Sequence, residues 1–326
     1  MKERCSSCRS RSITPAARRR LELVTVNTSL TTEERIWAVF AHLSALGLGM
    51  GLLLPVIGWA EQRRKSKYAS FQCLQALGYQ SLGYTAWLLA YLLVLVIALV
   101  MITIKSSLAQ KSGETFEPLT RGTFESAFVL AILLLILYLI LPIIAAISCA
   151  LGNDFRYPLI GDRLAKYLDY KEVSKEGTWL SEDHEDRWVA AMGHFSVLIA
   201  LWGLLAPVTA WIVQGRRNAF LKFQSMQTTF YQVFVNVLFL IAGLFYFLGV
   251  IVFFSTTGLE GSPDLTSPIG MTGLVIFGIS SLCASIIILI VPLFHILGQW
   301  AGYRILKGDD YHYPIVGKWV EGRMKS

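Results

Sequence analysis

The chain has 326 residues, 54% of them hydrophobic and 16% charged, with 29 Lys and Arg against 22 Asp and Glu and a net charge of +7. A soluble domain carries about 25% charged residues; here the deficit coincides with several uncharged apolar runs of about 20 residues, the length that crosses a bilayer. This excludes a disordered chain, a collagen, a secreted disulfide scaffold and an ordinary soluble enzyme, and predicts an all-α polytopic integral membrane protein.

In chain order, residues 1–32 form a basic tail (Lys2, Arg4, Arg9, Arg11, Arg18, Arg19, Arg20), read as disordered. No apolar core follows the arginines directly, so the tail is not a secretory signal. Cys5 and Cys8 form a lone C-x-x-C with no second pair or nearby His to close a zinc site. Cys73, Cys149 and Cys283 fall in or near apolar segments, where a thiol acts as a small hydrophobe. Apolar segments are predicted at 36–60, 83–104 and 127–151. A polar stretch, 152–187, follows with a helix around 158–170, and then three more apolar segments at 188–213, 230–254 and 270–302. No Walker loop, dinucleotide fingerprint, G-x-S-x-G elbow or H-E-x-x-H is present, and the expectation is a non-enzyme with neither metal nor cofactor. The basic excess is read as contact with anionic lipid headgroups rather than with nucleic acid, because no aromatic-plus-basic recognition pattern accompanies it.

The sequence repeats itself. Shifted by 152, residues 33–80 lie on 185–232 without a gap, and roughly two positions in five are identical. The identities include His42/His194, Ser44/Ser196, Gly51/Gly203, Pro55/Pro207, Trp59/Trp211, Gln72/Gln224, Gln75/Gln227, Tyr79/Tyr231 and Gln80/Gln232. Polar and aromatic matches dominate, so this is a duplication and not two greasy helices resembling each other. The ends match as well: Asp154 to Gly161 lies on Asp310 to Gly317. The predicted domains are the tail 1–32, repeat one 33–161, a linker 162–184, repeat two 185–317 and a C-terminal tail 318–326.

Charge sets the expected topology. If the first segment of each repeat enters and leaves the membrane on one side, 26 of the 29 Lys and Arg fall on that face. If every segment crossed once, basic loops would fall on both faces, against the positive-inside rule. Gly47, Gly49, Gly51 and Pro55, with Gly203 and Pro207, interrupt the first segments where a membrane helix can break. Each repeat is therefore predicted to have one re-entrant hairpin and two transmembrane helices, in a bacterial cytoplasmic membrane with both termini cytoplasmic and the repeats parallel.

The pattern carried by Glu34-Arg35, Ala38, His42, Ser44, Pro55, Trp59, Phe71, Gln72, Gln75-Ala76-Leu77 and Tyr157-Pro158 resembles a family of small bacterial membrane domains of unknown function. That family is similar to the twenty-kilodalton Tic component of the chloroplast import translocon. The second copy keeps most of the pattern but has Thr228-Thr229 in place of Ala-Leu. The resemblance implies a role in moving or accommodating polypeptides, and two tandem units depart from the single unit usual in that family.

Three sets of residues stand out. His42 and His194 are polar within membrane segments; such a residue is read either as a functional group, including a haem ligand or proton relay, or as a hydrogen bond that fixes the broken hairpin. Gln72, Gln75, Tyr79 and Gln80, with Gln224, Gln227, Tyr231 and Gln232, form a polar stripe at helical spacing. It is read either as a groove between the repeats or as glue between helices. Arg35, Arg64, Arg187 and Arg216 flank the hairpins and are expected to meet lipid headgroups, with Glu33 or Glu34 as partner to Arg64; Tyr157-Pro158 and Tyr313-Pro314 read as interfacial anchors. The leading function expected is a non-enzymatic membrane scaffold, assembly factor or polypeptide-handling subunit, whose partners would be the bilayer and other membrane proteins or a polypeptide client. The alternatives are a passive channel with its pore between the repeats and, third, a haem- or pigment-binding protein.

Overall fold

The computed structural model describes residues 30–112, 117–170, 180–257 and 267–325. The basic tail with its Cys5 and Cys8 pair and the linker residues 171–179 lie outside them. Among the described residues there is no strand. Unit one consists of α1 (Thr32–Leu43), a 3-10 run (Ser44–Leu52), α2 (Leu53–Gln62), α3 (Lys67–Gly78), a π-helical turn (Tyr79–Gly83), α4 (Tyr84–Ser112), α5 (Glu117–Ala150) and the short α6 (Gly161–Tyr167). Unit two consists of α7 (Glu182–Phe195), two 3-10 turns (Ser196–Leu198, Trp202–Leu204), α8 (Leu205–Gln214), α9 (Ala219–Thr257), α10 (Pro268–Leu306) and α11 (Val316–Lys325).

Local chemistry sets the boundaries. Thr31 and Glu34 form a capping box that starts α1, the Thr31 N–H reaching Glu34 Oε2 at 2.6 Å, which satisfies donors the first turn leaves free. Ser66 caps α3 through the Ala69 N–H at 3.1 Å, and Ser267 caps α10 through Gly270.

Among the described residues, five stretches are long and apolar enough to cross a membrane: 32–62, 67–108, 121–150, 219–256 and 268–306. The first is not a rod. It breaks at Leu48 (φ 51°, ψ −131°) and turns back on itself, so that Gln62 at its end donates to Glu33 at its start at 3.0 Å. Unit two repeats the manoeuvre: the chain breaks at Leu201 (φ 53°), and Asn218, just beyond α8, donates to Asp186 near the start of α7. The turn is tight enough to require glycine. A Cβ on Gly51 would lie 2.0 Å from the Ser44 carbonyl oxygen, and one on Gly203 would lie 2.1 Å from that of Ser196. At about 1.5 Å per residue, the 12 residues of α1 and the 10 of α2 reach only about 18 and 15 Å, half of a hydrocarbon core of about 30 Å. The long helices α4, α5, α9 and α10 do reach, and their flanks expose Leu93, Leu99, Phe128, Leu137, Leu240, Phe247 and Leu289 as a lipid-facing surface requires.

The two hairpins lie side by side and point the same way. At the tips, Gly49 sits against Ile199 and Trp202; at the bases, Arg63 pairs with Asp186 at 2.9 Å. The units are therefore parallel, not inverted. Between them runs one apolar core in which Trp59, Phe71, Leu74 and Leu77 meet Trp188, Met192, Ala206 and Ala210.

The pairing is not symmetric. The Trp188 ring lies on Gly78, where a Cβ would come within 2.5 Å of the indole Cζ2, and the indole N–H donates to the Leu74 carbonyl at 2.9 Å. At the corresponding positions the other way round stand Phe230 and Ile36. Phe230 is covered instead by Trp319 of α11, edge-on at 4.6 Å.

Candidate functional site

The histidine, glutamine and tyrosine residues singled out in the sequence are bonded in one polar cluster in each unit. In unit one, the amide NH2 of Gln72 is committed to Asp154 Oδ1 (2.9 Å) and the Phe155 carbonyl (3.1 Å). Its oxygen therefore faces His42, whose Nε2–H donates to it at 3.0 Å. That assigns the tautomer and leaves Nδ1 to accept the Tyr157 hydroxyl at 3.0 Å. Gln75 donates to Gln72 Oε1 (3.1 Å) and the Phe155 carbonyl (2.9 Å), and accepts the Tyr157 N–H (2.7 Å). Tyr79 donates to the Tyr138 carbonyl at 2.6 Å and stacks on Tyr157 at 4.2 Å. Gln80 donates to the Ala41 carbonyl (3.1 Å) and Ser44 Oγ (2.9 Å) at the foot of the hairpin turn.

Unit two reproduces this almost bond for bond. His194 meets the Tyr313 hydroxyl (2.9 Å) and Gln224 Oε1 (3.3 Å). Gln224 and Gln227 both reach the Tyr311 carbonyl, at 3.1 and 2.7 Å, and Tyr313 N–H donates to Gln227 Oε1 at 3.2 Å. Tyr231 donates to the Phe294 carbonyl (2.7 Å) and stacks on Tyr313 at 3.9 Å. Gln232 donates to the Gly193 carbonyl (2.8 Å) and Ser196 Oγ (3.2 Å). Thr228 adds a hydroxyl beside His194 Nε2, at 2.8 Å, where unit one has Ala76.

The physical logic is common to both copies. Ala41 and Gly193 sit in the last turn of a helix, and Phe155 and Tyr311 in a non-helical turn, so their carbonyls have no helical donor. In apolar surroundings such groups must be paired, and the glutamine amides pair them. All eight stripe residues are buried, and the hydrogen bonds above stay within their own unit. They thus tie each hairpin to its own helices, where the sequence left open a groove or glue between units. Both ring nitrogens of His42 and of His194 lie within hydrogen-bond distance of a side-chain partner. Tyr157 and Tyr313, expected as interfacial anchors, are each only 2% exposed; their hydroxyls complete the networks, which the Tyr-Pro spacing alone did not reveal.

The flanking arginines divide. Arg64 and Arg216 are exposed, and the partner of Arg64 is Glu182 at 3.3 Å, not Glu33 or Glu34. Arg35 donates to the Leu30 carbonyl at 3.2 Å. Arg187 turns inward, pairing with Asp183 (2.9 Å) and Asp310 (3.3 Å) and lying over the Phe220 ring.

A second polar cluster joins the units at the hairpin bases. Arg63 pairs with Asp186 at 2.9 Å and Glu185 at 3.5 Å, all three side chains nearly buried, and Ser70 donates to Glu185 at 2.8 Å. Burial pushes the Glu185 carboxyl up to about 7, against the opposing pull of Ser70 and Arg63. The sequence reading missed this cluster. Its signal was difference rather than identity: Gly215 and Lys222 stand in unit two where unit one has Arg63 and Ser70.

Compared with known protein families, residues 33–164 and again 185–320 match the magnetosome magnetite crystal formation protein family, MamF_MmsF. No curated protein and no solved structure matches the chain. The resemblance to the Tic component is corrected by this result, since neither copy matches that family. Matched over both halves, the chain belongs to the MamF/MmsF magnetosome magnetite crystal formation family, as two consecutive copies of its unit.

Proposed function

We propose that the chain is a non-enzymatic scaffold of a magnetite-forming membrane, with its hairpins and both termini on the cytoplasmic side. The observation that carries this reading is the duplicated His–Gln–Tyr network. It spends His42, Gln72, Gln75 and Tyr157, and their copies, on holding a fixed shape, as a structural component requires. The family supplies the setting, magnetite crystal formation. The distribution of charge supports the orientation: exposed Arg64, Lys65, Arg216 and Arg217 ring the hairpin bases, and positive residues favour the cytoplasmic face. In this role the protein positions other membrane proteins around the growing crystal.

The test has three arms. In a magnetite-forming cell lacking the chain, re-expression should restore crystal size as seen by electron microscopy, and mild-detergent extraction should recover a defined set of membrane proteins with it. Maleimide labelling of Lys65→Cys and Ser107→Cys should occur from opposite sides. In liposomes the purified chain should pass no iron(II); a flux abolished by Gln75→Leu would overturn the scaffold in favour of a channel.

A further inference from the structure

The hairpins sit at one end of the molecule. Their turns begin level with Gln80, which bonds to Ala41 and Ser44. Beyond that level, Tyr84 to Lys105 of α4 is by itself about 33 Å of helix, enough to cross a hydrocarbon core of about 30 Å. The four short helices therefore belong to the layer where acyl chains meet headgroups, on one face only. Their surface fits that layer. Leu46, Leu48, Met50 and Leu201, at or next to the tips, are exposed apolar residues, and the exposed Arg64, Lys65, Arg216 and Arg217 at the bases suit anionic headgroups. Among the described residues, only the four long helices remain in the opposite leaflet. There α4 and α5 stand apart around a cleft of about 320 Å³ lined by Ile97, Met101 and Leu130.

We infer that the molecule is a one-sided wedge whose partner is a curved lipid surface: it prefers, and stabilises, bilayers convex on the hairpin-bearing face. The four short helices, each about 10 Å across, add on the order of 300 Å² to one leaflet and nothing to the other. Shallow apolar insertion of this kind is sensitive to curvature. The inference rests on membrane embedding but not on the scaffold role, which the crystal and iron-flux measurements test separately.

The experiment reconstitutes the full chain, labelled at Lys65→Cys, into phosphatidylcholine–phosphatidylglycerol vesicles spanning a wide range of diameters. Protein density and orientation are read vesicle by vesicle. Density should rise about threefold from the largest vesicles to the smallest, with the hairpin face increasingly outward as diameter falls. Density and orientation independent of diameter would overturn the inference. A variant with Leu46→Ser, Met50→Ser and Leu201→Ser, checked for native helicity, should lose most of the preference. A control with Leu99→Ser and Leu244→Ser on the long helices should keep it. Equal loss in both, or none in the tip variant, would also overturn it.

Discussion

Replacing His42 by Leu tests whether the network holds the hairpin in place. The Tyr157 hydroxyl is buried and loses the His42 Nδ1 that accepts it, while Gln72 Oε1 keeps the Gln75 amide. One buried hydroxyl left unpaired costs about 1–3 kcal/mol, and Leu fills most of the imidazole volume, so His42→Leu should cost about 2 kcal/mol. Tyr157→Phe strands the imidazole nitrogen instead and should cost about 1–2 kcal/mol. In His42→Leu/Tyr157→Phe neither partner is stranded, so the pair should cost about 1–2 kcal/mol less than the sum of the singles. Tyr313 belongs to the other network, so His42→Leu/Tyr313→Phe should be additive to within about 0.5 kcal/mol. Denaturant unfolding in detergent, followed by far-ultraviolet circular dichroism, gives all of these values from one set of transitions. Additivity within unit one, or equal coupling across the units, would refute the reasoning.

Three further outcomes are expected. Gly78→Ala should force Trp188 from its seat and cost about 1–3 kcal/mol by overpacking, whereas Phe230→Ala at the matching place should leave the contact between the units unchanged, as read by Trp188 fluorescence. Arg63→Met leaves Asp186 and Glu185 buried without a counter-charge and should cost about 3–5 kcal/mol, while Arg64→Ala, at an exposed pair, should stay within about 0.5 kcal/mol; thermal unfolding separates the two. Burial holds the Glu185 carboxyl near 7, above its unfolded value near 4.5, so the folded state keeps that proton longer. Its contribution to stability is fully present below about pH 4.5 and is lost as pH rises through about 7. Glu185→Gln should remove that part of the slope; a profile unchanged by the substitution would contradict the assignment.

The duplication and the broken hairpins were legible because polar residues rarely persist in apolar segments without a structural task, and here the same ones recur at the same spacing. His42, Gln72 and Gln75 could be singled out for that reason. What each of them bonds to could not, since the partners Tyr157 and Phe155 come from a turn some 80 residues away and helical spacing carries no information across such a gap. Helical spacing could not tell neighbours within a unit from neighbours between units, because one polar stripe serves either. Arg187 looked like a headgroup contact from its place beside a hairpin; its inward turn depends on Asp310, which sequence distance hides.

The seat of Trp188 on Gly78 also bears on how the chain came to need both halves. A protein made of two copies of the first half would offer isoleucine where the indole is required. Two copies of the second would put a phenylalanine in the slot. Neither half can stand in for the other at this seat, so the ancestral doubling has become a division of labour that is written in the fit and is lost when one half is replaced by a second copy of the other.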